Sequence, residues 1–439
     1  MMWRRVRLIV LVALLVLLAA WVGMDLWAGR RLNEEVARLE KRYGSLATRL
    51  LRSPARIPAA DNRARVARAA AALTVFEFDS EQGRAVERFL AASEQARVVE
   101  RYLAANATSP APAEVRAFVE TNRPAIRVAE EARARARSSW EADYVSDRNT
   151  PGFLDLRELS NAMYLSALID VQEGRADSAA HAAGTGLVVA STFRDEPSLV
   201  AQLIRIALAT IQLRATQQVV IRGEPSRGAL EDLARCLAEN RLPAQVGVGL
   251  LGGLRQAHAI WSKLENGHAE AVYDETGNRA SWFLGAMAQL NRPIVRLGHA
   301  RSLQAFGRLL DIEYGPRPRP AFEPAPPPIW MPGLKSLYAG FTAGFARSID
   351  SGDEFASALG AAEIAVALRR FRVDHASYPE DLAALVPAYL SAVPVDPFTG
   401  RPMVYARRGA GFELHGEWPK DLGSRLRPRP ALLDWVVAK

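Results

Sequence analysis

The chain has 439 residues, 49% hydrophobic and 24% charged, with a mean hydropathy of −0.05, which excludes a collagen, a long disordered chain and a disulfide-stapled mini-protein. Its one cysteine, Cys236, has no intramolecular partner and rules out a cysteine-based zinc site. The net charge of +8 is carried mostly by arginine interleaved with glutamate, with lysine only at Lys41, Lys263, Lys335, Lys420 and Lys439, so it reads as a solvated helical surface and not as a nucleic-acid patch.

The chain opens with a short basic leader, Arg4, Arg5 and Arg7, followed by a charge-free run from Leu8 to Met24 that Asp25 ends. As a helix this run spans about 25 Å, enough for a bilayer core, and Trp21 and Trp27 suit an interfacial belt. A cleaved signal peptide needs small residues at the cleavage site, and the bulky Trp21, Leu26 and Trp27 crowd the candidate positions. Residues 1–29 are therefore expected to be a leader and an uncleaved transmembrane anchor. Arg30, Arg31, Arg38, Lys41 and Arg42 weaken the charge contrast across the span, but the basic leader reads as cytoplasmic and the bulk of the chain as extracytoplasmic.

Residues 30–58 continue as a juxtamembrane helix in which Leu32, Val36, Leu39, Tyr43, Leu46 and Leu50 repeat at heptad spacing. Two arrangements satisfy that spacing: a parallel homodimer through Leu32, Val36, Leu39, Leu46 and Leu50, and an amphipathic helix packed on its own domain. Residues 59–314 read as helices in antiparallel pairs, with capping signals at Asp155 with Glu158 and at Pro197 and breaks that include Gly174 and Gly223. The pair from Leu156 to Ser191 turns at Gly174. Asp170 and Gly186 stand where a tetratricopeptide array has an aromatic residue and an alanine, so the expected unit is a helical hairpin without a repeat array.

Residues 315–333 hold eight prolines and read as an extended linker. In the last segment, 334–439, two helical stretches are expected, Leu334 to Ile349 and, after a Ser351…Glu354 capping box, Glu354 to about His375. A short helix opening at Pro379 and a β-hairpin follow, Val404–Arg408 and Phe412–His415 around Gly409-Ala410-Gly411.

The string Ala365 to His375, Tyr378-Pro379, Leu385-Val386, Tyr389-Leu390, Val393-Pro394, Asp396-Pro397-Phe398 and Tyr405 resembles the head of the major pseudopilin of bacterial type II secretion over about 60 residues. The whole arrangement also resembles bacterial signal-anchored helical envelope proteins, on the segments 156–179 and 195–208. The resemblance implies a small α+β head and a bacterial inner-membrane setting with a periplasmic body. It does not extend to pilin processing: no glycine precedes Leu8 and no glutamate lies between Leu8 and Met24. Nor does it supply calcium, since the segment Gly416–Asp421 offers only Glu417 and Asp421 to a cation that takes six to eight oxygens.

The chemical motifs are sparse. Gly247 to Gly252 matches G-x-G-x-x-G, but Pro243 precedes it and no βα alternation follows, so it reads as close helix packing. Glu265 and His268 form a single E-x-x-H, read as a loop. His258 near Trp261, and His299 near Arg296, sit on helical faces as structural histidines; Asp374 and His375 are adjacent and do not face each other on a helix. Cys236 reads as a buried apolar residue, and Trp140, Asp143 and Tyr144 as a polar-aromatic loop, either a staple or one wall of a cleft.

The expected class is mainly α: a helical-hairpin scaffold after one transmembrane helix, with a small pseudopilin-like α+β subdomain. No catalytic, cofactor-binding or metal residues are assigned, and no cofactor is expected. The expected role is a membrane-anchored periplasmic scaffold for protein partners, associated with secretion or pilus-like machinery; the alternative is a membrane-tethered ligand-binding protein or hydrolase with a groove between helices.

Overall fold

The computed structural model describes residues 2–54, 57–76, 80–95, 111–145, 152–268, 282–319, 332–416 and 431–437. It is 70% helix, which places the chain in the mainly-α class, with one small sheet near the C-terminus. The helices are α1 (Met2–Tyr43), α2 (Arg63–Ala72), α3 (Glu81–Gln95), α4 (Ala113–Thr121), α5 (Arg123–Glu130), α6 (Phe153–Gln172) and α7 (Ala176–Ser191). They continue as α8 (Leu199–Arg222), α9 (Arg227–Glu239), α10 (Gly247–Glu265), α11 (Trp282–Leu290), α12 (Arg292–Glu313) and α13 (Pro332–His375). The strands are β1 (Val404–Arg408), β2 (Gly411–His415) and β3 (Asp434–Val437). The proline-rich segment falls mostly on residues outside those described, as do Glu417 and Asp421.

The chain divides into two compact units, each assembled from separated stretches: a first of 1–51, 250–312 and 321–347, and a second of 52–249, 313–320 and 348–439. In the first, α1 has two unlike halves. Its apolar run from Leu8 to Leu18 is exposed, whereas Leu32 and Leu39 are buried with Leu250, Leu254, Trp261, Leu303 and Phe306. Gly307 makes the close approach possible, because a Cβ there would come within 2.9 Å of Leu39. The heptad positions Leu32, Leu39 and Leu46 are thus filled by packing within the chain, while Val36 is half-buried and Leu50 exposed. The helix ends at Tyr43 and does not run on to Leu50. Gly44 adopts φ +82° and caps it, after which Leu46 N donates to Glu40 Oε1 at 3.0 Å.

In the second unit α6, α7 and α8 pack on one another and α9 packs on α7. α6 and α7 form the expected hairpin, turning through Gly174 at φ +76°. Gly186 lets α8 approach α7: a Cβ there would sit 2.3 Å from the Gln212 side chain, whose Nε2 reaches Ser160 O at 2.8 Å. Arg205 lies fully buried with its donors spent on Gln202 Oε1, Asn240 O and Gln245 O, and with Phe355 against its guanidinium. Burial lowers its pKa to about 10.

Two capping boxes read from the sequence do not form. α6 starts at Phe153 after Gly152, and Glu158 is buried against Arg157 and Asn161. α13 runs unbroken through Ser351 and Glu354, because Asp353 and Ser357 are buried there and packing overrides the local stop signal.

The C-terminal piece is an antiparallel sheet of order β1-β2-β3, with Arg408 opposite Gly411 at the predicted turn and Leu414 opposite Trp435. Tyr378 packs edge-on against Phe412, and Tyr405 donates to Pro379 O at 2.7 Å. A turn follows Val395: Asp396 accepts from Phe398 N at 2.8 Å and Ser357 Oγ at 3.0 Å, and Gly400 takes φ +68°. The short helix at Leu382–Leu385 is a 3-10 turn capped by Asp381.

Candidate functional site

The strongest candidate lies in the second unit, where four separated stretches meet. Asn62 caps α2, accepting from Ala64 N at 3.1 Å and from Ser139 N at 3.1 Å, so one side chain starts the helix and pins the loop before Trp140. Arg63 follows, and its guanidinium is held from several sides: it donates to Arg135 O at 2.8 Å, Ala132 O at 3.2 Å, Ser191 Oγ at 3.1 Å and Glu239 Oε2 at 2.6 Å.

Around this fixed pair opens a cleft of about 680 Å³ lined by Pro54, Ile57, Arg137, Ser138, Arg194 and Asp195 as well as Arg63, Ser191 and Glu239. Its volume falls in the range of ligand clefts. Three guanidiniums face two carboxylates, and Arg63 and Glu239 engage each other, which leaves the lining with excess positive charge. Arg137 makes no side-chain hydrogen bond or ion pair among the described residues, and Arg194 has only the Glu239 carbonyl at 3.4 Å. Ser138 and Ser191 direct their hydroxyl hydrogens to Thr192 O at 2.9 Å and Val188 O at 2.8 Å. Recognition of a carboxylate or phosphate oxygen therefore falls to the guanidinium forks of Arg137 and Arg194, neither of which has an ion pair among the described residues.

The floor beside the cleft is rigid. Glu196 accepts from Ser53 Oγ at 2.6 Å, Tyr144 OH at 2.8 Å and Trp140 N at 3.0 Å. Burial raises its pKa despite these bonds, and burial next to the Glu196 charge raises that of Tyr144. Trp140, Asp143 and Tyr144 accordingly staple a loop, with Asp143 paired to Arg52 at 3.2 Å.

The histidines flagged in the sequence come together in the first unit. His258 Nδ1 and His299 Nε2 are 3.0 Å apart, His299 Nδ1 lies 2.5 Å from Glu265 Oε1, and Arg296 reaches Glu265 at 3.6 Å. Trp261 stacks parallel to the His299 ring. His268 stands beyond the end of α10. Asp374 and His375, adjacent on α13, both reach Tyr389 OH, at 2.8 and 3.2 Å, in an exposed position. Cys236 is buried, and burial lifts its thiol to about 11, well away from a reactive thiolate. The glycines at 247–252 open α10 as packing residues: a Cβ on Gly249 would come 2.7 Å from the Leu199 backbone. Among the described residues no group of three His, Cys, Asp or Glu side chains is arranged to hold a metal ion.

Arg63, Arg137, Arg194 and Glu239 carry no signal in the sequence, because charged residues at such separations are what any helical surface presents.

No family model matches the chain, and comparison with curated proteins and with solved structures returns no match.

Proposed function

We propose that this is a single-pass membrane protein of the bacterial inner membrane whose folded body stands on the extracytoplasmic side as a scaffold for protein partners. One observation carries the reading: a single helix, α1, leaves Leu8 to Leu18 fully outside the fold while its other half, with Leu32 and Leu39, is built into the core. Its apolar window has a mean hydropathy of 2.7 with none of it buried, unlike α8, whose apolar window is 61% buried. Exposed leucines and valines in such number are costly in water and favourable in hydrocarbon.

The cleft at Arg137 and Arg194 suits an acidic segment of the partner, since planar guanidiniums on a fixed frame recognise carboxylates in pairs. The hairpin and the Asp396 turn are compatible with the pseudopilin-like head, and through it with secretion or pilus-like machinery. The test is fractionation combined with reporter fusions at the C-terminus. Retention in the membrane through alkaline washing, with a reporter active only outside the cytosol, is expected; a soluble product, or a cytosolic tail, overturns the reading.

A second reading, a membrane-tethered protein that binds a small ligand between its helices, is favoured by the cleft volume alone. Saturable binding of a small organic anion by the purified chain, abolished in Arg137→Ala, selects it over the scaffold.

A further inference from the structure

The packing register of the first unit places a second element beside the exposed run of α1. α12 runs in the same direction as α1: Arg296 pairs with Asp25 at 2.8 Å, Gly307 lies against Leu39, and Arg42 pairs with Asp311 at 2.9 Å. α10 runs the opposite way, with Arg255 donating to Ser45 O at 3.0 Å from its middle and Glu265 meeting Arg296 at its end. The end of α10 and the beginning of α12 therefore both lie at the level of Asp25, the residue that closes the charge-free run.

α11 comes between them in sequence, and its C-terminal end lies on the far side of that level. Its last residue is fixed directly: Trp21 Nε1 donates to the Leu290 carbonyl oxygen at 2.8 Å, and Gln289 Nε2 donates to Glu265 O at 2.9 Å. Trp21 precedes Met24, so this corner sits alongside the apolar run and not beyond it. The sequence of α11, WFLGAMAQL, holds no charged residue, Leu290 is 63% exposed, and Ala286 is exposed. Arg292, the next charged residue, is half-buried and has no ion pair among the described residues.

We propose that α11 is a second membrane-contacting element, a short helix lying in the headgroup layer of the bilayer that α1 crosses, on the Asp25 side. This rests on the reading of α1 as a membrane span. With Leu8 to Met24 in hydrocarbon, the depth of Trp21 is the interface, and the hydrogen bond to Leu290 carries α11 to the same depth. The occupant of its exposed face is lipid. Arg292 at the α11–α12 corner is positioned for a lipid phosphate, as basic residues flanking interfacial helices are. The first unit is then held by the anchor and a lateral contact together, which restricts its tilt on the membrane.

The experiment uses the full chain with Cys236→Ser in lipid nanodiscs, carrying one nitroxide at a time on Leu14→Cys, Ala286→Cys, Leu290→Cys or Val200→Cys. Collision with oxygen and with a water-soluble nickel chelate is read by power saturation. The Ala286 and Leu290 labels are expected to favour oxygen over nickel several-fold more than the label at Val200, an exposed residue of α8. If both match Val200 while Leu14 reads as lipid, α11 lies in water and the inference falls while the anchor stands. If Leu14 also reads as water, the anchor itself falls, and the inference with it. The two α11 labels are independent, so poor folding of one leaves the other to decide.

Discussion

His258 Nδ1 lies 3.0 Å from His299 Nε2, and the pair is closed on the other side by Glu265. Burial, then the neighbouring His299, lowers the pKa of His258, opposed by Glu265 and by Glu40 of α1; Arg296 and Asp25 complete the charged surroundings. A histidine with a depressed folded pKa stabilises the fold above the unfolded value near 6.5 and loses that contribution as pH falls through the folded value. Acidification from pH 7.5 to 5 should loosen the first unit. Fluorescence of Trp261, stacked on His299, reports it, and His258→Gln should flatten the response.

A pH dependence of opposite sign belongs to the second unit. Burial pushes Asp353 up to about 8 and Glu313 up to about 7, although Arg319 approaches both, at 3.0 and 2.5 Å. Arg317 and, for Glu313, the hydrogen bond from Val246 N oppose the shift, and burial outweighs them. Carboxyls with raised folded pKa favour the fold at low pH, and stability falls as pH rises from about 4 to about 8. Asp353→Asn should reduce that slope in urea melts at pH 6 and pH 8.5; an unchanged slope contradicts the assignment.

Arg137→Glu with Arg194→Glu should reverse the charge of the cleft without touching its frame, since neither side chain carries an ion pair among the described residues. Binding of a fluorescent acidic peptide should weaken by about tenfold or more, and wild-type binding should fall with added salt. Melting temperature is expected to stay within the range of ordinary surface substitutions, about 0.5 kcal/mol.

Glu196→Ala removes the acceptor for Ser53, Tyr144 and Trp140 at once. Stranding these donors should destabilise the second unit by about 3 kcal/mol, read by chemical denaturation. Glu196→Gln keeps most of the bonds and should recover much of the loss.

Deleting residues 2–18 should free the protein from membranes and leave its helical signal per residue close to intact, because Leu8 to Leu18 contribute no core contacts and Trp21, bonded to Leu290, is kept. Deleting residues 2–46 removes Leu32, Leu39 and Leu46 as well and should unfold the first unit. Circular dichroism and sedimentation distinguish the two truncations.

Where a turn is set locally, the sequence was readable: Gly174 between α6 and α7 and Gly409-Ala410 between β1 and β2 each need only neighbouring residues. β3 escaped because four residues of Asp434–Val437 have no adjacent partner, and their ladder depends on Phe412 and Leu414 far upstream. Ser351 and Glu354 look like a helix start, but burial of Asp353 and Ser357 decides otherwise. The His258–His299–Glu265 contacts required the opposed directions of α10 and α12, and the cleft required four separate stretches to converge, neither of which spacing encodes.

The union of Tyr43 with Asp311 spans 268 positions. At roughly 5–20 residues per second, some 10–50 s pass between synthesis of the two. Throughout that interval Leu32, Leu39 and Leu46 lack the later part of the first unit while the whole of 52–249 is made. Biogenesis thus has a vulnerable window that the finished molecule conceals, in which apolar side chains destined for the core are open to whatever binds exposed apolar helices.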